Sequence, residues 1–198
     1  YDAKFLKFTG GEPFMIPHVR KIIKKLYEDE VSPAVRLSII TNGTIPLDDE
    51  MLKMLLSFKH VILLVSIDGI EDRFEYIRAG AKWKEVSANL KQFQKIAMHN
   101  NNFDLNINYL PMSINAAQDK LAEQWAKSEG IIFSKSVEIF RPNYLTYRSL
   151  NNSLRERYEI ETKYEYNESV YNELLRHMAI KDKLMGTNFK LACPEFFE

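Results

Sequence analysis

Five short apolar segments alternate along this chain with longer segments, and that alternation restricts the fold more than any other feature. The predicted strands lie at residues 4–9, 35–41, 60–67, 104–109 and 136–140. The longer segments repeat apolar residues every three or four positions, which is typical of helices buried on one face. Strands joined by helices form right-handed crossovers and therefore a parallel sheet. The sequence predicts an α/β fold.

The segments of helical pattern complete this prediction and suggest two domains. Predicted helices occupy residues 17–28, 48–58, 72–77, 83–98, 116–129 and 168–185. The helix at 116–129 is expected to turn Leu121 and Trp125 towards the core. Residues 143–166 are polar and rich in tyrosine and match no regular pattern. We therefore predict an α/β domain over 1–142 and an extension over 143–198 that is irregular apart from one helix.

The composition excludes several classes of partner. The 198 residues carry 27 Lys and Arg against 27 Asp and Glu, so the formal charge is zero. Nucleic acids and anionic membrane surfaces are bound by basic surfaces, which argues against both partners. Apolar runs stay well short of the roughly 20 residues that cross a bilayer. The one cysteine, Cys193, excludes an internal disulfide and favours a cytoplasmic protein.

Small, polar and charged residues follow most of the predicted strands. Parallel sheets bind ligands at the carboxyl ends of their strands, so these residues are expected to converge on one edge. The ends are Gly10-Gly11-Glu12, Thr41-Asn42-Gly43, Ser66-Ile67-Asp68-Gly69, Asn108-Tyr109 and Phe140-Arg141-Pro142. Glycines admit a ligand close to the backbone, and a following glutamate suits an ammonium group. Each motif taken alone is equally typical of an ordinary turn, and Pro13 also suits a helix start.

The order and spacing of these motifs resemble the radical S-adenosylmethionine (SAM) superfamily. The motifs are GGEP at 10–13, TNG at 41–43, SIDG at 66–69 and YIRAG at 76–80, followed by Trp83, Val86 and Asn89. Within the superfamily, the chain looks like the branch with SPASM or twitch extensions. The resemblance covers roughly residues 4–142. It implies a partial (β/α)6 TIM-like barrel that lacks its first strand and helix here, with a C-terminal helical extension leading towards a SPASM/twitch region.

The resemblance also implies which residues bind SAM. They are Gly10, Gly11, Glu12, Asn42, Ser66, Asp68, Arg78, Ile107 and Phe140. Glu12 with the two glycines matches the motif that binds the methionyl amine. Ser66 matches a contact to the ribose or carboxylate, and Arg78 matches a contact to the carboxylate. Ile107 and the backbone at Phe140 match the region that packs the adenine.

The chain departs from the family at its defining feature. A CxxxCxxC loop after the family's first strand holds a [4Fe–4S] cluster, which the resemblance implies as a second cofactor. An electron from a ferredoxin or flavodoxin then cleaves SAM to a 5′-deoxyadenosyl radical, which abstracts hydrogen from a peptide or small-molecule substrate. The predicted strand at 4–9 matches the family's second strand, and no such loop occurs in these residues. The chain alone is therefore expected to be inactive as an oxidoreductase.

Three interpretations of that departure stay open. In the first interpretation the sequence begins downstream of the cluster loop. This interpretation is favoured by the first residue, which is Tyr1 and not an initiator Met. Alternatively, the chain is a cluster-free, degenerate barrel that binds a nucleoside-like ligand or a partner protein. In the third interpretation the likeness is coincidental and the chain is another α/β domain.

Two further expectations concern the chain's extremities. In SPASM and twitch proteins, cysteines after the barrel bind auxiliary clusters, so Cys193 is a candidate auxiliary-cluster ligand. A lone cysteine also serves as a small buried apolar residue. A strand at 4–9 without its preceding neighbour would expose a sheet edge, which predicts an oligomer that covers this edge.

Overall fold

The computed structural model describes residues 3–136 and 143–197, which fall into two compact units. Unit 1 comprises Tyr1–Ile67, Lys84–Asn108 and Trp125–Ser134. Unit 2 comprises Asp68–Trp83, Tyr109–Gln124 and Lys135–Glu198. Each unit draws on several segments of the chain. The division at residue 142 stays a prediction about domains.

A five-stranded sheet forms the framework of the fold. Its strands are β1 (Phe5–Phe8), β2 (Arg36–Thr41), β3 (His60–Ser66), β4 (Phe103–Tyr109) and β5 (Ile132–Lys135). They lie side by side in the order of the sequence. The pairs β1–β2, β2–β3 and β3–β4 are parallel. The predicted α/β class with a parallel sheet is confirmed.

Helices connect the strands and continue beyond them. They are α1 (Pro17–Glu28), α2 (Asp49–Leu56), α3 (Glu71–Ile77), α4 (Trp83–His99), α5 (Asp119–Ser128), α6 (Asn152–Arg157), α7 (Glu168–Met185) and α8 (Phe189–Ala192). Side chains cap several of them: Asp48 accepts a hydrogen bond from the Met51 amide at the start of α2, and Asn167 accepts one from Val170 at the start of α7. None of the helices in the described ranges is both long and apolar enough to span a membrane.

Two details differ from the predictions. The last strand of the described sheet is Ile132–Lys135, directly ahead of the predicted strand at 136–140, of which all but Ser136 lies outside the described residues. Leu121 was expected to face the core, but it is about half exposed, while Ala122 and Ala126 are buried. Helix α5 therefore packs through its small residues.

The two faces of the sheet in unit 1 differ in polarity. Alternate residues of β3 and β4, including Val61, Leu63 and Val65, are fully buried. Val86, Leu90 and Phe93 of α4 are buried in the same unit. The residues between these positions, such as Ser66, are only partly buried. Unit 1 thus has a fully buried apolar face and a more open face that carries both apolar and polar residues.

Unit 2 has its own apolar core. Tyr76 of α3, Leu174 and Met178 of α7, and Phe189 of α8 belong to one buried cluster. Three side chains of the tyrosine-rich segment pack against it, Tyr144, Tyr147 and Tyr158, together with Tyr171 of α7. The segment that showed no periodicity in the sequence therefore combines short helical turns, including α6, with aromatic packing.

Candidate functional site

The site in unit 1 starts at the carboxyl end of β1 with two glycines. Gly10 and Gly11 have positive φ angles of 86° and 60°, which glycine adopts at little cost. A Cβ atom at Gly10 would meet nothing within 4 Å, and one at Gly11 would only reach Ile16 at 4.0 Å. Packing therefore does not fill the space beside this backbone. The arrangement leaves room for a ligand to approach the main chain.

Glu12 follows the glycines, and its carboxylate accepts hydrogen bonds from three groups of the same unit. The Thr41 hydroxyl donates to its two oxygens at 2.8 and 2.9 Å. The backbone amide of Asn42 donates to Oε2 at 2.8 Å, and that of Phe14 donates to Oε1 at 3.2 Å. These contacts join the carboxyl end of β1 to that of β2. They also make Glu12 the N-cap of the short 3-10 turn Pro13–Met15.

The electrostatic setting of Glu12 is unusual. The residue is 7% exposed, yet its hydrogen-bond donors are all neutral. Within residues 3–136 and 143–197, no lysine, arginine or histidine forms an ion pair with it. A buried charge is costly without a counter-charge, so this carboxylate favours a cation that the described protein does not itself provide.

Asn42 contributes to the site chiefly through its backbone. Its side-chain oxygen accepts hydrogen bonds from the amide and the hydroxyl of Thr44, at 2.9 and 2.6 Å, and so closes a turn. Thr41, which sequence reasoning missed as a site residue, provides the side-chain contact to Glu12. The signal available in the sequence was a hydroxyl at the last position of a strand, directly before Asn-Gly.

Ser66 and Ile107 lie on opposite faces of the sheet. Ser66 at the end of β3 is in register with Asn108, whereas Ile107 is in register with Val65. Ile107 and Val65 are both 0% exposed on the apolar face, and the match of Ile107 to the region that packs the adenine stays a prediction. Asn108 is the β4 residue that shares the open face with Ser66. Phe140 lies outside the described residues.

Asp68 and Arg78 belong to unit 2 and form an ion pair there. Arg78 Nη2 donates to Asp68 Oδ2 at 2.6 Å, and both side chains are mostly buried. Asp68 also accepts a long hydrogen bond of 3.4 Å from the Leu110 amide. The Nε of Arg78 is buried and has no hydrogen-bond partner. The guanidinium therefore retains donor capacity beyond its bond to Asp68.

Cys193 is fully buried in the core of unit 2. Burial raises the pKa of its thiol well above the usual range. In the part of the chain that the structure describes, no three residues among His, Cys, Asp and Glu are grouped so that they could hold a metal ion. A ligand role for Cys193 stays a prediction, and its packing is that of a small apolar side chain.

The chain is thus an α/β domain with a buried carboxylate beside two open glycines at the carboxyl edge of a parallel sheet, an arrangement that suits a ligand with a cationic group. The family model described as the Radical SAM superfamily matches residues 1–112, more than half of the chain. The chain belongs to the radical SAM superfamily. No curated protein matches it.

Solved structures share its fold at low sequence identity. SuiB of Streptococcus suis bound to S-adenosylmethionine has a TM-score of 0.53 and 14% identity over 96% of this chain and 41% of its own. AnSMEcpe bound to AdoMet and the Cp18Cys peptide has a TM-score of 0.51 and 17% identity over 92% of this chain and 48% of its own. A domain of pyruvate-formate lyase-activating enzyme from Bacteroides vulgatus has a TM-score of 0.50 and 12% identity, with 89% of this chain and 93% of its own covered.

The described residues fit one of the family's two cofactors. Radical SAM enzymes use SAM and a [4Fe–4S] cluster. Glu12 provides a buried carboxylate that has no counter-ion among the described residues, which suits an ammonium group such as that of SAM, and Gly10 and Gly11 leave space beside it. The cluster requires several cysteine thiolates, whereas these 198 residues contain one cysteine. This chain therefore fits SAM and does not itself contain the ligands of the cluster.

Proposed function

We propose that this chain is the SAM-binding core of a radical SAM oxidoreductase of the SPASM/twitch type. The observation that carries the proposal is the buried, cation-free carboxylate of Glu12 at the carboxyl edge of the sheet. The ammonium of the methionyl group is the cation that it would bind. Gly10, Gly11, Asn42 and Ser66 line the same strand ends in unit 1.

A count of hydrogen bonds supports an additional donor at Glu12. A carboxylate offers about four lone-pair positions. Phe14, Thr41 and Asn42 each donate one proton, because the threonine hydroxyl has a single hydrogen that its two short distances share. One acceptor position is left for a ligand. A charge-assisted bond to an ammonium would be stronger than the neutral bonds already present.

In unit 2, we propose that Arg78 contacts the carboxylate of SAM while Asp68 holds the guanidinium in place. The support is the unpartnered, buried Nε of Arg78 together with its 2.6 Å bond to Asp68. An arginine presents two parallel donors to a carboxylate, which a lysine does not. The pairing with Asp68 fixes one side of the fork and leaves another available.

The chemistry and substrate are proposed for the whole enzyme. A [4Fe–4S] cluster, whose cysteine ligands would have to lie outside these residues, would supply the electron for reductive cleavage of SAM to methionine and a 5′-deoxyadenosyl radical, which would abstract hydrogen from the substrate. We propose a peptide substrate, because SuiB and anSMEcpe are each known in a complex with a peptide. This chain spans less than half the length of either protein.

Three further parts of the proposal concern the protein's surroundings. A ferredoxin or flavodoxin would supply the electron, and the protein would work in the cytoplasm. In the described sheet β1 has a partner on one side only, and Phe5 on this strand is mostly exposed. We propose that a second copy covers this edge in solution, which light scattering would detect as a dimer.

Substitution of Glu12 tests the proposed ligand contact. The probes are S-adenosylhomocysteine and its analogue with hydrogen in place of the amino group, titrated by calorimetry into the 198-residue chain. The unsubstituted chain should prefer the amine by about tenfold or more, since bonds between charged groups contribute about 1.5–3 kcal/mol. Glu12→Gln should remove most of that preference. Glu85→Gln, which changes an exposed glutamate in α4, is the matched control and should keep it.

The outcomes separate the competing interpretations. Equal affinity of the unsubstituted chain for both probes would contradict the role of Glu12 and favour a nucleoside-binding module. Three cysteines encoded at CxxxCxxC spacing upstream of residue 1 are the expected result for the enzyme. A start codon there without those cysteines would favour the cluster-free barrel instead.

A further inference from the structure

A chain of hydrogen bonds in unit 1 leads from helix α4 to the carboxylate of Glu12. Its last member is Thr41, which is 2% exposed and donates its hydroxyl proton to Glu12 at 2.8 and 2.9 Å. Thr41 is separated from Glu12 by 29 positions in the sequence and is brought beside it by the pairing of β1 with β2. The hydroxyl contacts both carboxylate oxygens. It therefore controls the rotation of the carboxylate as well as its position.

The direction of the Thr41 hydroxyl is set by Gly43. The Gly43 amide donates to Thr41 Oγ1 at 3.0 Å. Because the hydroxyl oxygen accepts this proton, its own hydrogen is directed away from Gly43 and towards Glu12. The threonine thus acts as a donor to the carboxylate.

Only glycine places an amide group at this position without displacing its neighbours. Gly43 has a φ angle of 75°, which side chains with a Cβ rarely adopt. An added Cβ would lie 2.8 Å from Val65 Cγ1 and 3.2 Å from Val86 Cγ1. Val65 and Val86 are fully buried in the core of unit 1, so neither can move away freely.

Asn89 of α4 holds the carbonyl side of the same glycine. Its Nδ2 donates to the carbonyl oxygen of Gly43 at 2.9 Å. The turn is thereby fixed between a helix side chain and the threonine hydroxyl. The order of contacts runs from Asn89 to Gly43, from Gly43 to Thr41, and from Thr41 to Glu12.

We infer that Thr41 is a positioning residue for ligand binding, oriented by Gly43 and Asn89, and that it aims the Glu12 carboxylate at the ligand's ammonium group. The inference rests on the proposed function, since it assumes that Glu12 binds that ammonium. It assigns a supporting role to Thr41, Gly43 and Asn89, while Glu12 alone is to touch the ligand. Without the hydroxyl, the carboxylate would lose a donor and turn towards the remaining two amides.

The test uses Thr41→Val, which keeps the shape of the side chain and removes the hydroxyl. Its ligands are S-adenosylhomocysteine and the analogue that lacks the amino group. The loss of one hydrogen bond to a charged group is expected to weaken binding of the amine by about tenfold. Affinity for the analogue should stay within about twofold of the unsubstituted chain, because the analogue makes no bond to Glu12. Thr41→Ser retains the hydroxyl and should restore amine binding.

The possible results distinguish positioning from general support of the fold. Unchanged amine binding in Thr41→Val would overturn the inference, as would equal weakening of both ligands. If the unsubstituted chain does not distinguish the two ligands, the proposed function itself fails, whatever Thr41 does.

A second variant tests the inference independently in case Thr41→Val does not fold. Asn89→Ala removes the bond to Gly43 from a partly buried helix position and leaves Thr41 in place. It should lower amine binding by about threefold, the smaller effect of a neutral hydrogen bond, and leave the analogue unaffected. An unaltered ratio of the two affinities in Asn89→Ala would count against the inference.

Discussion

At the scale of single residues, Arg73 illustrates how unit 2 accommodates a buried charge. Its guanidinium is hydrogen-bonded through all three nitrogens. Nε donates to the Ala192 carbonyl at 2.7 Å, Nη1 donates to the Ile114 carbonyl, and Nη2 donates to the two oxygens of Glu195 at 2.9 and 3.0 Å. Arg73 and Glu195 are 4% and 6% exposed. The arginine thus ties α3 to the C-terminal segment after α8.

Removal of Arg73 should therefore destabilise the protein strongly. Arg73→Met leaves the Glu195 carboxylate buried without its counter-charge, which is expected to lower the free energy of unfolding by about 3–5 kcal/mol. Urea denaturation measures this loss. Arg20→Met is the control, because Arg20 pairs with Asp48 and Glu50 on the surface and should cost about 1 kcal/mol or less. Equal losses in the two variants would contradict the importance of burial.

The residue scale also shows why part of the site escaped sequence reasoning. Glu12 was predicted because its two glycines and its place after a strand are local features. The bond from Thr41 to Glu12 spans 29 positions and depends on which strands pair, which one sequence does not specify. The register of the strands is a second limit of sequence reasoning. A shift of one residue in a strand turns a side chain to the opposite face, so only the observed pairing shows that Asn108 shares the face of Ser66 and that Ile107 shares the face of Val65.

At the scale of secondary-structure elements, the apolar periodicity predicted most strands and helices with bounds close to those observed. Helix α7, for example, lies at Glu168–Met185 as predicted, and it ends at Gly186 with a φ angle of 65°. The four residues of β5 are too short to show a period. In α5, the buried alanines give a weaker hydrophobic signal in the sequence than the bulky Leu121. This explains why Leu121 was wrongly predicted to face the core.

The capping of α2 gives a testable contribution at this scale. Asp48 Oδ1 accepts a hydrogen bond from the Met51 amide at 2.7 Å. Asp48→Ala should lower the free energy of unfolding by about 1–2 kcal/mol, since it removes the N-cap, which usually contributes about 1 kcal/mol, and the surface ion pair with Arg20. Asp49→Ala, one position further along in the first turn, should cost only about 0.3 kcal/mol. It loses only the interaction of its charge with the helix dipole. Thermal or urea unfolding compares them, and a larger loss in Asp49→Ala would be the contrary result.

At the scale of the whole molecule, three buried groups that can lose a proton make the free energy of unfolding decrease at alkaline pH. They are the phenols of Tyr76 and Tyr109 and the thiol of Cys193, all in unit 2. Burial is the main cause that raises the pKa of each group above its usual range. Unfolding restores ordinary pKa values of about 10 for tyrosine and about 8.5 for cysteine. The unfolded chain then releases protons that the folded chain keeps, so stability is lost as the pH rises.

The cysteine should act first, because its ordinary pKa is the lowest of the three. Its contribution is fully present below about pH 8.5 and decreases by up to about 1.4 kcal/mol for each pH unit above it. Between pH 8.5 and 9.5, the protein should therefore lose about 1 kcal/mol more than Cys193→Ala loses, in urea denaturation at the two pH values. The variant removes the thiol and retains both tyrosines, so the other alkaline effects cancel in the comparison. Parallel pH profiles for the two proteins would show that the thiol already titrates in the folded state, and its assigned place in the core would then be wrong.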